Sequence, residues 1–178
     1  MTPPSVVFFG HDGDTPKVFV RCLLYSTSTR GQLVQHMYAS VKHGDETRLF
    51  TFWGYGEANA LSAGSGLFVS KNGIALNHHF VMSVHAEPYS FEPGHYSVEI
   101  FAKVVRGRRP VSLGITEIDL SPDQAKDLRD RRGILFERDP IADTFKGEAR
   151  PDPTNRRAVA ADRAMREIEA RDWVADAK

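Results

Sequence analysis

Apolar residues along this chain fall mostly at every second position, the pattern of extended chain with one buried face. The clearest case is Tyr96 to Val105. Tyr96, Val98, Ile100, Ala102 and Val104 lie on one face, with Ser97, Glu99 and Lys103 on the other. Arg106-Gly107-Arg108-Arg109 turns the chain, and Pro110 to Leu120 returns as the second arm of a hairpin. Lys17 to Thr27 alternates with Val18, Val20, Cys22 and Leu24 on one side and Phe19, Leu23 and Tyr25 on the other. A strand apolar on both faces is expected inside a sheet. The run Arg48 to Gly56, dense in aromatic residues, reads as another interior strand. Val6 to Phe9 is a shorter strand, followed by a turn over His11 to Pro16. Leu67 to Ser70 and Ile74 to Met82 flank Lys71-Asn72-Gly73, and Asn-Gly between two apolar runs predicts a hairpin.

Two segments depart from period two. Leu33, Val34, Met37, Tyr38 and Val41 recur at helical spacing, yet Leu33, Met37, Ala39 and Val41 also share one face of a strand with only Gln35 out of place. Helix and strand both remain open there. Ser121-Pro122-Asp123-Gln124 is a helix start: Ser121 caps, Pro122 takes the first helical position and Gln124 completes a capping box. That helix is expected over 122–132, with Gly133 ending it and Ile134 to Glu137 forming a last strand.

These elements predict a mainly β chain, a two-sheet antiparallel β-sandwich of seven to nine strands over residues 1–147. Residues 148–155 are polar and carry prolines at 151 and 153, and read as a linker. Residues 156–178 read as a C-terminal helix with a weak apolar stripe. A chain of 178 residues is long enough for one domain with a real core.

Charge narrows the partners. Lys and Arg total 23 and Asp and Glu total 23, so no global field draws the chain to nucleic acid or anionic lipid. No stretch approaches the ~20 apolar residues of a membrane span, and Val6 to Phe9 is too short for a signal-peptide core. A cytoplasmic protein is expected. Its single cysteine, Cys22, lies among Val20, Leu23 and Leu24 and reads as a small buried apolar group.

Phe91-Glu92-Pro93-Gly94-His95-Tyr96, entering the alternating strand, resembles the late strand of immunoglobulin-like and fibronectin-type-III-like sandwiches. The resemblance covers roughly residues 85–120. It implies that Tyr96 is a corner residue bonding back to the backbone. It implies nothing about function. A second stretch, Gly64 to Val81, resembles the part of HtrA-type serine proteases that leads to the catalytic histidine, which would make His79 a general base. The chain downstream of His79 has no Gly-x-Ser-Gly-Gly turn to supply the nucleophile and oxyanion hole.

Other candidate chemistry is sparse. His79, His85 and His95 could gather round a metal ion if the fold brought them together. His78 and His79, being adjacent, point to opposite faces of a strand and cannot share one ion. Asp12 and Asp14, with Asp45 or Asp119, are a faint calcium-loop pattern, and commoner as turn formers. Phe50, Phe52, Trp53 and Tyr55 could form an aromatic platform, though such a run is more often core. Lys103, Arg106, Arg108 and Arg109 make the one basic cluster, on a hairpin tip suited to an acidic partner. Ile168, Trp173 and Val174 are large apolar groups beyond the linker, suited to packing on the domain or on a partner. The expectation is a non-catalytic protein-binding or assembly module without a cofactor, acting with a protein partner or a second copy of itself. A metal-dependent or hydrolytic enzyme built on the histidines is the alternative.

Overall fold

The alternating stretches do become strands, and they pair into two antiparallel sheets in the computed structural model, which describes residues 1–56, 62–64 and 66–151. Among these residues, twelve strands and one helix follow in chain order. They are β1 (Val6–Asp12), β2 (Thr15–Leu24), β3 (Gln32–His43), β4 (Glu46–Phe50), β5 (Phe52–Tyr55) and β6 (Ser62–Ala63). Then come β7 (Leu67–Val69), β8 (Ile74–Val81), β9 (Gly94–Val104), β10 (Val111–Leu120), α1 (Pro122–Arg129), β11 (Gly133–Asp139) and β12 (Thr144–Arg150). One sheet runs β12-β11-β1-β2-β8-β5-β6; the other runs β10-β9-β3-β4, with β7 also on β3. The chain is thus a mainly β sandwich, as the periodicity predicts.

The core lies between the sheets and comes from the alternating positions. Val18, Val20, Cys22 and Leu24 of β2 face Tyr96, Val98, Ile100 and Ala102 of β9 across one apolar cluster. Burial of Cys22 pushes its thiol up to about 11, so it behaves as a small apolar group rather than a nucleophile. Phe9 is the hub of an aromatic group: Phe91, Tyr96 and Phe136 lie 4.9, 5.3 and 5.5 Å from it, centre to centre. The Tyr96 hydroxyl donates to the Glu92 carbonyl at 2.6 Å, the back-bond expected of a corner tyrosine. Ser121 and Gln124 form the reciprocal capping box of α1.

Several expectations are corrected. Residues 32–43 are strand throughout, and the helical spacing comes from a β-bulge. The register against β9 slips between Val34 and His36, so Val34 and Met37, three apart, both point inward. Arg48 to Gly56 is not one interior strand. The chain leaves the five-stranded sheet after Phe50, where β4 is an edge, and enters the seven-stranded sheet at Phe52. Asn72-Gly73 turns as expected, with Gly73 at φ +76° donating to the Ser70 carbonyl. The arms it joins do not pair with each other: β7 pairs with β3, and β8 with β2 and β5. Gly133 does not end the helix; Asp130 caps it, Arg131 takes the left-handed turn, and Gly133 opens β11 beneath the Phe8 ring. β12 continues to Arg150, three residues into the expected linker. These splittings raise the strand count above the expected seven to nine. The C-terminal helix expected over 156–178 lies outside the described residues. Among the described residues, no helix is long and apolar enough to cross a membrane.

Candidate functional site

The bulge in β3 also sets up an exposed apolar surface beside the basic hairpin tip. With Val34 turned inward, Leu33 must point outward, where it pairs directly with Phe68 of β7. Val105 donates its backbone N–H to the Leu33 carbonyl and adds a third apolar side chain to the patch. Leu33, Phe68 and Val105 are 46%, 60% and 53% exposed, values that core packing does not require. Gly31, at φ +72°, makes the arrangement possible. A Cβ there would meet the Phe68 ring at 2.6 Å and the Val69 carbonyl at 2.9 Å.

Cations lie beside Leu33 and Val105. The β9–β10 hairpin tip carries Arg106, Arg108 and Arg109, all exposed, and the Lys103 ammonium fastens the tip by donating to the Arg108 carbonyl at 3.0 Å. Arg30, on the turn before β3, and Arg106 line one cavity of about 500 Å³, together with Leu33 and Val105. None of the guanidinium groups of Arg30, Arg106, Arg108 and Arg109 has an ion-pair partner among the described residues. Six other arginines, Arg48, Arg129, Arg131, Arg132, Arg138 and Arg150, each hold a carboxylate, while Arg21 on β2 is, like the four, without one among the described residues. Two such guanidiniums beside exposed Leu33 and Val105, with two more on the same hairpin tip, suit an anionic, partly apolar partner.

The histidines do not converge. His79 stands on the outer side of the seven-stranded sheet, His85 in the turn after β8, and His95 on the five-stranded sheet. Among the described residues, no group of three His, Cys, Asp or Glu side chains is placed to hold a metal ion. His78 and His79 do point to opposite faces. His78, with no exposure, accepts from the Trp53 indole N–H at 3.3 Å through Nδ1. His79, 4% exposed, lies against the Phe19 ring at 4.9 Å, with Nε2 facing the Gly56 carbonyl at 3.3 Å. Burial pushes both rings down to about 4; His79 adds to the effect on His78, and Lys17 to that on His79. His95 is exposed between Glu117 and Asp119, at 3.0 and 2.8 Å, and its hydrogen bond to Asp119 raises its affinity for a proton.

The remaining candidates disperse. Asp14 pairs with Arg131 at 2.7 Å and Asp119 with His95, so the aspartates considered for calcium do not form one loop. Phe50 and Trp53 are core, while Phe52 faces outward, so the aromatic run makes no platform. Ile168, Trp173 and Val174 lie outside the described residues.

The four basic residues of the hairpin were legible in the sequence; Arg30, Leu33, Phe68 and Val105 were not. An exposed aromatic between two buried neighbours in Leu67-Phe68-Val69 was the available signal. That β7 would lie beside Leu33 required knowing which sheet it joined. No protein-family model, no curated protein and no solved structure matches the chain.

Proposed function

We propose that this chain is a non-catalytic protein-binding module that holds an acidic, partly apolar segment of a partner at the hairpin end of the five-stranded sheet. The observation that supports this reading is the set of arginines without a carboxylate partner among the described residues, with Arg30 and Arg106 lining one cavity with exposed Leu33 and Val105, and Arg108 and Arg109 on the same hairpin tip. Apolar side chains supply affinity when buried, and the cations select the sign of the partner's charge and speed the encounter.

A photo-crosslinking amino acid in place of Val105, used in cells, tests the reading. The expected product joins the chain to an Asp- and Glu-rich segment of one protein. Arg30→Glu with Arg106→Glu and Arg108→Glu should weaken the purified complex at least ~10-fold, about 1.4 kcal/mol, with an unchanged melting curve. Equal crosslinking and affinity in the triple variant would refute it, as would a product joining only two copies of this chain. The immunoglobulin-like character of the sandwich belongs to the same proposal, supported by the Tyr96 corner bond. So does a cytoplasmic location, supported by the near-neutral composition and the lone buried thiol.

A further inference from the structure

Beside the basic surface the two sheets part at their ends and leave a cleft of about 430 Å³. Leu24 of β2 forms one wall, Val34, Val69, Ala102 and Val104 the other, and Leu113 of β10 the rim. The volume falls within the range of small-molecule sites, and its lining is mostly apolar, with Ser26, Thr27, Gln32 and Ser112 as its polar members besides Tyr25. Among the described residues, Tyr25 is the one titratable side chain in its lining, and Met1, the chain's N-terminal residue, also lines it.

The cleft adjoins the cavity that holds Arg30 and Arg106. Gln32 lines both. Two further stretches of chain pass directly from one wall to the other: Ser26 and Thr27 to Ser28, and Val104 to Val105 and Arg106. An apolar slot thus opens beside two guanidiniums that lack a carboxylate partner among the described residues. We infer that this paired cavity binds a single-chain anionic amphiphile, its alkyl chain between the sheets and its carboxylate or phosphate head beside Arg30 and Arg106. Planar guanidinium groups suit either head through paired N–H donors. The inference stands on the cleft and does not rest on the protein-binding reading.

Dodecanoate below its micellar concentration is the probe, titrated by calorimetry and by amide chemical shifts on the full chain. One saturable site is expected, with shifts at Val34, Val69, Ala102 and Val104. Across straight-chain carboxylates from six carbons upward, each added methylene should tighten binding about fourfold, until the cleft is full and the gain stops. Arg30→Glu with Arg106→Glu should weaken dodecanoate at least ~10-fold and leave dodecanol unchanged. Leu113→Trp, at the half-buried rim, should block the slot, and Leu113→Ala should move the chain-length limit upward. The inference is overturned by no saturable dodecanoate binding, by affinity independent of chain length, or by dodecyltrimethylammonium binding as tightly as dodecanoate. Adsorption to anionic phospholipid vesicles without binding of monomeric dodecanoate would also overturn it, in favour of a membrane surface. A lysophospholipid that binds monomerically at the same residues would support it and identify the head as phosphate.

Discussion

Acidifying the solution from pH 7.5 to 5 should destabilise this protein well before its carboxylates titrate. His78 and His79 are both buried and both held neutral, at about 4 against an ordinary value near 6.5. The unfolded chain therefore takes up a proton on each ring as pH falls through 6.5, whereas the folded chain does not. The unfolded state binds more protons, so stability falls with pH. Their contribution is full above about pH 7, falls as pH drops below 6.5, and is lost by about pH 4. A depression of 2.5 pH units corresponds to about 3 kcal/mol per ring at the end of the window. Between pH 7.5 and 5 the linkage relation gives about 2 kcal/mol per ring, or roughly 4 kcal/mol for both. That is a large part of the 5–15 kcal/mol typical of a domain. His95 works in the opposite sense, since its folded form holds a proton more tightly, but it is exposed and screened. Asp139, held near 2 by Lys146, enters only below this window. Guanidinium unfolding at half-unit pH steps measures the slope. In the double variant His78→Leu with His79→Gln the fall should shrink by about 4 kcal/mol, whatever its stability at pH 7.5. An identical slope in wild type and double variant would refute the reasoning, because the rings would then be accessible to protons in the folded state.

Other consequences can be checked by the same unfolding measurement. Tyr96→Phe removes the hydroxyl that donates to the Glu92 carbonyl and should cost about 1 kcal/mol, with the aromatic packing retained. Gly31→Ala places a Cβ at φ +72° against the Phe68 ring and the Val69 carbonyl, and should cost about 1–2 kcal/mol. Ser121→Ala leaves the Gln124 N–H of α1 without its cap and should cost about 1 kcal/mol, whereas Ser121→Asp should restore most of it.

Local alternation marked most of the strands and their inward faces, but left residues 32–43 open between helix and strand, because the bulge there mimics helical spacing. Tyr96 to Val104 and Val18 to Leu24 were legible because the contrast between core and solvent repeats every two residues along one strand. The start of α1 was legible for a similar reason, its cap and capping-box residues lying within four positions. Pairing was not legible. Asn72-Gly73 dictates a reversal, but the strands on either side find partners at β3 and β2, far away in sequence. The crossing at Thr51 from one sheet to the other leaves no local mark, because Phe50 and Trp53 are equally apolar in either sheet.

The candidate surface divides the same way. Arg106, Arg108 and Arg109 sit within four residues on a tip that the sequence itself predicts, so their grouping was a property of the chain. Arg30, Leu33 and Phe68 join them only through the bulge at Gln35 and the seating of β7 on β3, both outcomes of long-range hydrogen bonding. The isolation of His79 from His85 and His95 was likewise decided by which sheet each strand entered. The sequence by itself determined extended chain, inward and outward faces, turns and a capped helix, because those depend on neighbours one to four residues away. Tertiary structure alone decided sheet membership, the parting of the sheets beside the basic tip and the burial of two adjacent imidazoles, because each is a competition among partners that no local stretch of sequence contains.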